Sequence, residues 1–215
     1  ATWFAPPAAA FAADAPVLLQ VAVADPAHTA EWLRSGAGLA AVTAQARPPA
    51  GCSSRPLGAM RYVATASPAF VQRHFAQGVG AASLARAPSL RFNAKDELQS
   101  RWAQRLCHRH VELPQHQLPS TQAFVAAALA GMGWGMQPQA LVAGQLKAGA
   151  LVELVPRTPL DVPLHWREGR YARAELPDGK LGELVDLVST LGFGEEASVA
   201  RDVLRQVYEH SPAQL

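Results

Sequence analysis

Ser120 stands directly before a run that reads as a helix, Thr121-Gln-Ala-Phe-Val-Ala-Ala-Ala-Leu-Ala130. Its hydroxyl can accept a hydrogen bond from a backbone N–H near Ala123, and the unpaired N–H groups of such a helix start attract a carboxylate or another anion. That is binding chemistry rather than bond-breaking chemistry. Cys107, His108, His110 and His116 lie close together, yet one cysteine with adjacent histidines fits no closed zinc spacing. Gly131-Met-Gly-Trp-Gly135 follows a helix and enters a strand, whereas a nucleotide-cradling loop lies between a strand and the helix it opens. Arg101, Arg105 and Arg109 fall on one helical face with no interleaved aromatics, which reads as a solvated face. The chain has no Gly-x-Ser-x-Gly elbow and no Asn-Pro-Pro-Tyr type of motif for holding a flipped base. The residues predict no catalysis, no cofactor and no metal.

The elements that position Ser120 follow from spacing. Val125, Ala128, Leu129 and Met132 share one helical face, Gly131 and Gly133 stop the helix, Trp134–Met136 is a short buried strand, and Pro138 suits the first position of a helix over Gln139–Leu146. Upstream, Thr2–Ala13 reads as a helix with Pro6 and Pro7 in its first turn. Val17–Val23 reads as a strand, Asp25 and Pro26 open a helix that Gly36 ends, and Leu39–Thr43 is the next strand. Strand, helix and strand with short joins predict a βαβ unit and a parallel sheet. Pro48-Pro-Ala-Gly51 is a turn, followed by extended pieces at Ser54–Leu57 and Met60–Ala66. Ser67-Pro68 opens a helix near Ala69–Phe75, with a strand at Ser89–Phe92 and a helix from Ala94 to about Arg109 whose buried stripe is Leu98, Trp102 and Leu106. Strands at Leu151–Val155 and Val162–Trp166 complete the series.

A chain of 215 residues can bury a proper core in one large domain or two small lobes. Hydrophobic residues make up 49% and the mean hydropathy is +0.02, which suits a globular protein. The net charge is only +2, with no Lys- or Arg-rich run to mark a nucleic-acid surface. Two cysteines are too few for a disulfide framework and suit a reducing cytosol. No apolar run approaches the roughly 20 residues needed to cross a bilayer. Ala10-Phe-Ala-Ala-Asp14 faintly mimics a signal-peptidase site but has no basic region before it. With no initiator Met, the chain is expected to begin inside a longer gene product.

Six segments in order resemble the regulatory domain of LysR-type transcriptional regulators, most closely the subgroup that senses basic amino acids and controls lysine or arginine export. They are Ala1-Thr-Trp-Phe-Ala-Pro6, His28-Thr-Ala-Glu-Trp-Leu-Arg-Ser-Gly36, Leu57-Gly-Ala-Met-Arg-Tyr62, Ser67-Pro-Ala-Phe70, Gly131-Met-Gly-Trp-Gly-Met136 and Pro163-Leu-His-Trp166. The resemblance covers about residues 1–167. It implies an α/β fold of two Rossmann-like lobes of the type II periplasmic-binding-protein kind. The first lobe spans 1–66 without its opening strand and returns at about 164–169, and the second spans 67–163. The remaining 170–215 form a helical tail, with Leu181, Leu184, Val185 and Val188 on one face of one helix and Val203, Leu204 and Val207 on another. The tail resembles a helical stretch of type I restriction methylase subunits and is expected to be of different origin.

By the same resemblance the ligand sits in the cleft between lobes, outside the carboxyl ends of the strands. Asp25, Thr29, Thr43 and Gln45 of the first lobe, and Asn93, Asp96, Ser120 and Thr121 of the second, are the implied ligand-binding residues. Helix starts would receive a carboxylate, and Asp25 or Asp96 an ammonium group. Asp25 and Asn93 are equally good helix caps without any ligand, and Asn93 with Asp96 resembles a capping box. The implied function is an effector-sensing domain for lysine or arginine in the cytoplasm, self-associating as a dimer or tetramer through the helices starting at Thr2 and Asp25. It would reach DNA only through an N-terminal domain absent from this chain. An extracytoplasmic amino-acid-binding protein and a non-catalytic piece of a restriction methylase are the alternatives.

Overall fold

The computed structural model describes residues 4–14, 18–22, 26–169, 184–186 and 188. The chain divides into two compact units, 1–60 with 162–215, and 61–161. It passes between them twice, both times inside a strand.

In the first unit, α1 (Ala5–Asp14) carries Pro6 and Pro7 in its first turn, where a missing N–H costs nothing. Helix α2 (Pro26–Ser35) ends at Gly36, whose φ of +84° is the left-handed conformation a helix stop favours. Strand β1 (Ala40–Thr43) pairs antiparallel with β7 (Leu160–Glu168), Val42 opposite Trp166 and Thr43 opposite His165. The first half of β2 (Ser53–Ala66) lies beside β7. One sheet face buries Phe11, Leu57, Leu164 and Trp166 together with Leu184, Val185 and Val188. Three of the four residues expected on one face of the tail helix thus seal this core. The rest of the expected tail, including Val203, Leu204 and Val207, lies outside the described residues.

The expected strand at Val17–Val23 is not found: residues 18–22 form no strand, and Leu18, Leu19 and Val21 are exposed. A strand needs a neighbour to accept its N–H and C=O groups, and no described strand pairs with this segment. The parallel βαβ unit expected over 17–43 is therefore absent from the described residues, and the pairing that β1 makes is antiparallel.

The second unit does have a parallel core. Strand β3 (Ser89–Arg91) pairs parallel with β4 (Gln115–Gln117), and Ser89 bridges in parallel to Trp134 at the mouth of β5 (Gly135–Pro138). Strand β5 pairs antiparallel with the second half of β2, and β6 (Val152–Glu153) adds to the far end of β2. One face buries Ala64, Phe70, Phe75, Trp102, Trp134 and Met136 under α3 (Pro68–Phe75), α4 (Ala81–Leu84) and α5 (Leu98–Cys107). The other buries Val63, Leu90, Phe124, Ala128 and Val142 under α6 (Thr121–Leu129) and α7 (Gln139–Lys147). Alternation along β2 makes this possible, since Ala64 and Val63 point to opposite faces.

Four details differ from the expectation. Helix α5 starts at Leu98 rather than Ala94: Glu97 stands at its N-cap without a side-chain bond, and Asp96 just before it accepts the Leu98 N–H in a local turn. Its fully buried residues are Gln99, Trp102 and Ala103, with Leu98 and Leu106 packed at the edge. In α6 the buried face is Phe124 and Ala128, while Leu129 and Met132 are 38% and 42% exposed. Phe124 sets this orientation, because its ring lies directly over Gly135. Pro138 closes β5 instead of opening α7, a shift of one residue.

Candidate functional site

In the second unit the loops that leave the carboxyl ends of β3 and β4 emerge on the same sheet edge, because the two strands are parallel neighbours. One loop carries Asn93 and Asp96 and the other leads to Ser120 and Thr121, so four of the expected residues share one edge. Arg91 ties these loops down. Its guanidinium donates to the carbonyls of Ala94 and Asp96, the latter over 3.1 Å, and to Gln115 Oε1 over 3.0 Å.

Asn93 and Asp96 play different parts in that loop. Asn93 Oδ1 accepts the N–H of Lys95 at 2.9 Å, a local turn contact. The Asp96 carboxylate accepts the N–H of Phe92 at 2.9 Å, that of Leu98 at 3.1 Å and the Gln99 amide at 3.4 Å. These donors fix the carboxylate in place at the strand edge. Across the edge, Ser120 Oγ accepts the N–H of Ala123 at 3.4 Å, and Ser120 and Thr121 are exposed at the start of α6. A helix start that attracts anions and a held carboxylate that attracts cations thus lie on one edge.

Tyr62 belongs to this edge and was not expected. It pairs with Pro138, so the start of this half of β2 lies at the carboxyl end of β5. Burial first, and the charge of Asp96 second, push the Tyr62 phenol above its usual pKa. The charge of Asp96 thus reaches Tyr62. The sequence signal was present in Leu57-Gly-Ala-Met-Arg-Tyr62, but only as part of a strand.

In the first unit Thr43 and Gln45 meet at the end of β1. Thr43 Oγ1 accepts the N–H of Gln45 at 3.2 Å, and Gln45 is exposed. The carbonyls of Gln45 and Ala46 both accept Arg167 Nη2, the second over 2.9 Å. Arg167 is 1% exposed and was also not expected, since a charged residue after a strand of apolar spacing reads as surface. Thr29 lies half-buried in the first turns of α2. Asp25 lies outside the described residues. Among the described residues no group of three His, Cys, Asp or Glu side chains could hold a metal.

The LysR substrate binding domain family matches residues 1–178. The transcriptional regulator LysG of Mycobacterium tuberculosis is 44% identical over 167 residues, 78% of this chain and 54% of the relative, so the chain spans about half the length of that regulator. The C-terminal domains of a LysR family protein from Agrobacterium tumefaciens superpose with a TM-score of 0.80 at 51% identity, covering 86% of this chain and 89% of the other. Full-length LysG of Corynebacterium glutamicum, solved with bound effector Arg, superposes with a TM-score of 0.68 at 32% identity, covering 88% of this chain and 63% of the other. The match takes in both units and the edge that carries Asp96 and Ser120, and the chain belongs to the LysR substrate binding domain family.

Proposed function

We propose that this chain is the effector-sensing part of a transcription regulator and that its effector is a basic amino acid, arginine or lysine. The observation that carries this reading is the likeness to a regulator whose solved structure holds arginine, at 32% identity over 88% of this chain. The second unit's edge supports it. The start of α6 suits the effector's carboxylate, and Asp96 suits an ammonium or guanidinium group. Asn93, Thr121, Thr29, Thr43, Gln45 and Asp25 are proposed as further contacts.

Binding favours one arrangement of the domain over another, and that difference in affinity is what a regulator passes on. The reading extends to a regulator that works in the cytoplasm, pairs as a dimer or tetramer, and reaches DNA through a separate N-terminal domain. No catalytic step is assigned to it.

Titration of the chain with arginine, lysine and leucine during thermal unfolding tests the proposal. A ligand that binds only the native state raises the midpoint by mass action. Arginine or lysine must raise it with increasing concentration while leucine does not. Equal responses to all three, or none to any, refute the reading.

A further inference from the structure

Arg167 is among the largest fully buried side chains of the described residues, and no ion pair among them reaches it. Nη2 donates to the carbonyls of Gln45 and Ala46. Nε and Nη1 have no hydrogen-bond partner among the described residues. The described ion pairs are Arg55 with Asp186 and Arg61 with Asp161, and neither involves Arg167. A guanidinium stays charged at any pH a protein survives, so burial cannot neutralise it. Two carbonyl dipoles offset part of the lost hydration, but a buried cation with unfilled N–H groups ordinarily has an anion against it.

The surroundings suit a small oxyanion. Ala41 and Thr43 stand opposite Arg167 and His165 in the β1–β7 register, so these four share the sheet face turned away from the Phe11–Trp166 core. On that face Thr43 offers a hydroxyl. The loop whose carbonyls hold Arg167 is exposed from Ala44 to Pro48 and carries a second cation, Arg47.

We infer that Arg167 is the seat of a small oxyanion, a carboxylate or an inorganic phosphate, in the first unit. In the carboxylate case Arg167 takes the place of the start of α6 as the seat of the effector's carboxylate, a deepening of the sensing reading that rests on it. A free anion makes the site independent of that reading.

Thermal unfolding of the whole chain in Tris chloride tests it, comparing the parent protein with Arg167→Met. The probes are sodium phosphate, arginine, and agmatine, which is arginine without its carboxylate. A phosphate-dependent rise in the parent midpoint that is lost in Arg167→Met identifies a free-anion site. A larger rise with arginine than with agmatine, lost in Arg167→Met, identifies the effector's carboxylate. Either result supports the inference, and in Tris chloride without any probe Arg167→Met must be at least as stable as the parent. Parent and variant responding alike to all three probes overturns it. If arginine still raises both midpoints in that case, the sensing reading survives alone; a phosphate response without any amino-acid response leaves the anion site standing alone. Should Arg167→Met not fold, Arg167→Lys keeps the charge on a single ammonium, and the apparent affinity for the responding probe must fall at least tenfold.

Discussion

Arg61 Nε donates to Asp161 Oδ1 over 2.8 Å and Arg61 Nη2 donates to Asp161 Oδ2 over 3.2 Å, a two-pronged pair between β2 and β7. These are the strands by which the chain enters and leaves the second unit. The hydrogen bond from Arg61 chiefly, and its charge in addition, hold the Asp161 carboxyl below the usual carboxylate range. Both side chains are partly exposed, so solvent and salt weaken the pair.

Asp161→Asn is accordingly expected to lower the thermal midpoint only slightly near neutral pH. Because the folded-state pKa is lowered, the stabilisation is complete above the unfolded value of about 3.9 and is lost as pH falls through the folded value. Midpoints of the two proteins must converge in strong acid and also at high salt. A gap that persists in acid would refute this account.

Ser120→Ala removes the acceptor for the Ala123 N–H and is expected to cost about 1 kcal/mol in denaturant unfolding. Ser120→Asp restores a cap, so stability returns. Its negative charge also sits where the effector's carboxylate is proposed to lie, so arginine binding must weaken by calorimetry even though the fold is intact. Restored binding along with restored stability would remove Ser120 from the site.

Gly135→Ala places a methyl group against the Phe124 ring, where an ideal Cβ would lie 2.5 Å from Cε1 and 2.7 Å from Cζ. Overpacking of this kind costs about 1–3 kcal/mol. Pairing it with Phe124→Leu must recover part of the loss, which a double-mutant cycle measures. Additive losses would show that the ring does not set the spacing between α6 and β5.

Tyr62 reports on Asp96. Asp96→Asn removes the second cause of the raised phenol pKa and leaves burial, the first, in place. The Tyr62 titration, read by phenolate absorbance against a Tyr62→Phe control, is expected to move down but to stay above the usual value of about 10. No movement would mean that Asp96 and Tyr62 do not share an electrostatic environment.

Punctuation in the sequence located most elements. Ser67-Pro68 opens α3, with Ser67 Oγ accepting the N–H of Phe70, and Gly131 at φ +74° closes α6 with the Met132 N–H on the Ala127 carbonyl. What apolar spacing missed was decided by tertiary context. Gln115-His-Gln117 has no strand pattern of its own and becomes β4 because β3 offers it a parallel ladder. Leu18 and Val21 have a strand pattern and no described partner. At the site, Ser120 was legible because capping is local, and Asp96 because its turn contacts are. Arg167 was not, since its burial depends on carbonyls 122 and 121 positions away.

The double passage through β2 and β7 also orders events during synthesis. Residues 61–161 are contiguous, so the second unit's ladders can close as soon as that stretch is available. Strand β1 must wait for β7, whose residues arrive more than a hundred positions later, and distant pairings of this kind are slow to form. Until then Val42 has no Trp166 to pack beside, and this apolar face of the first unit stays uncovered during synthesis.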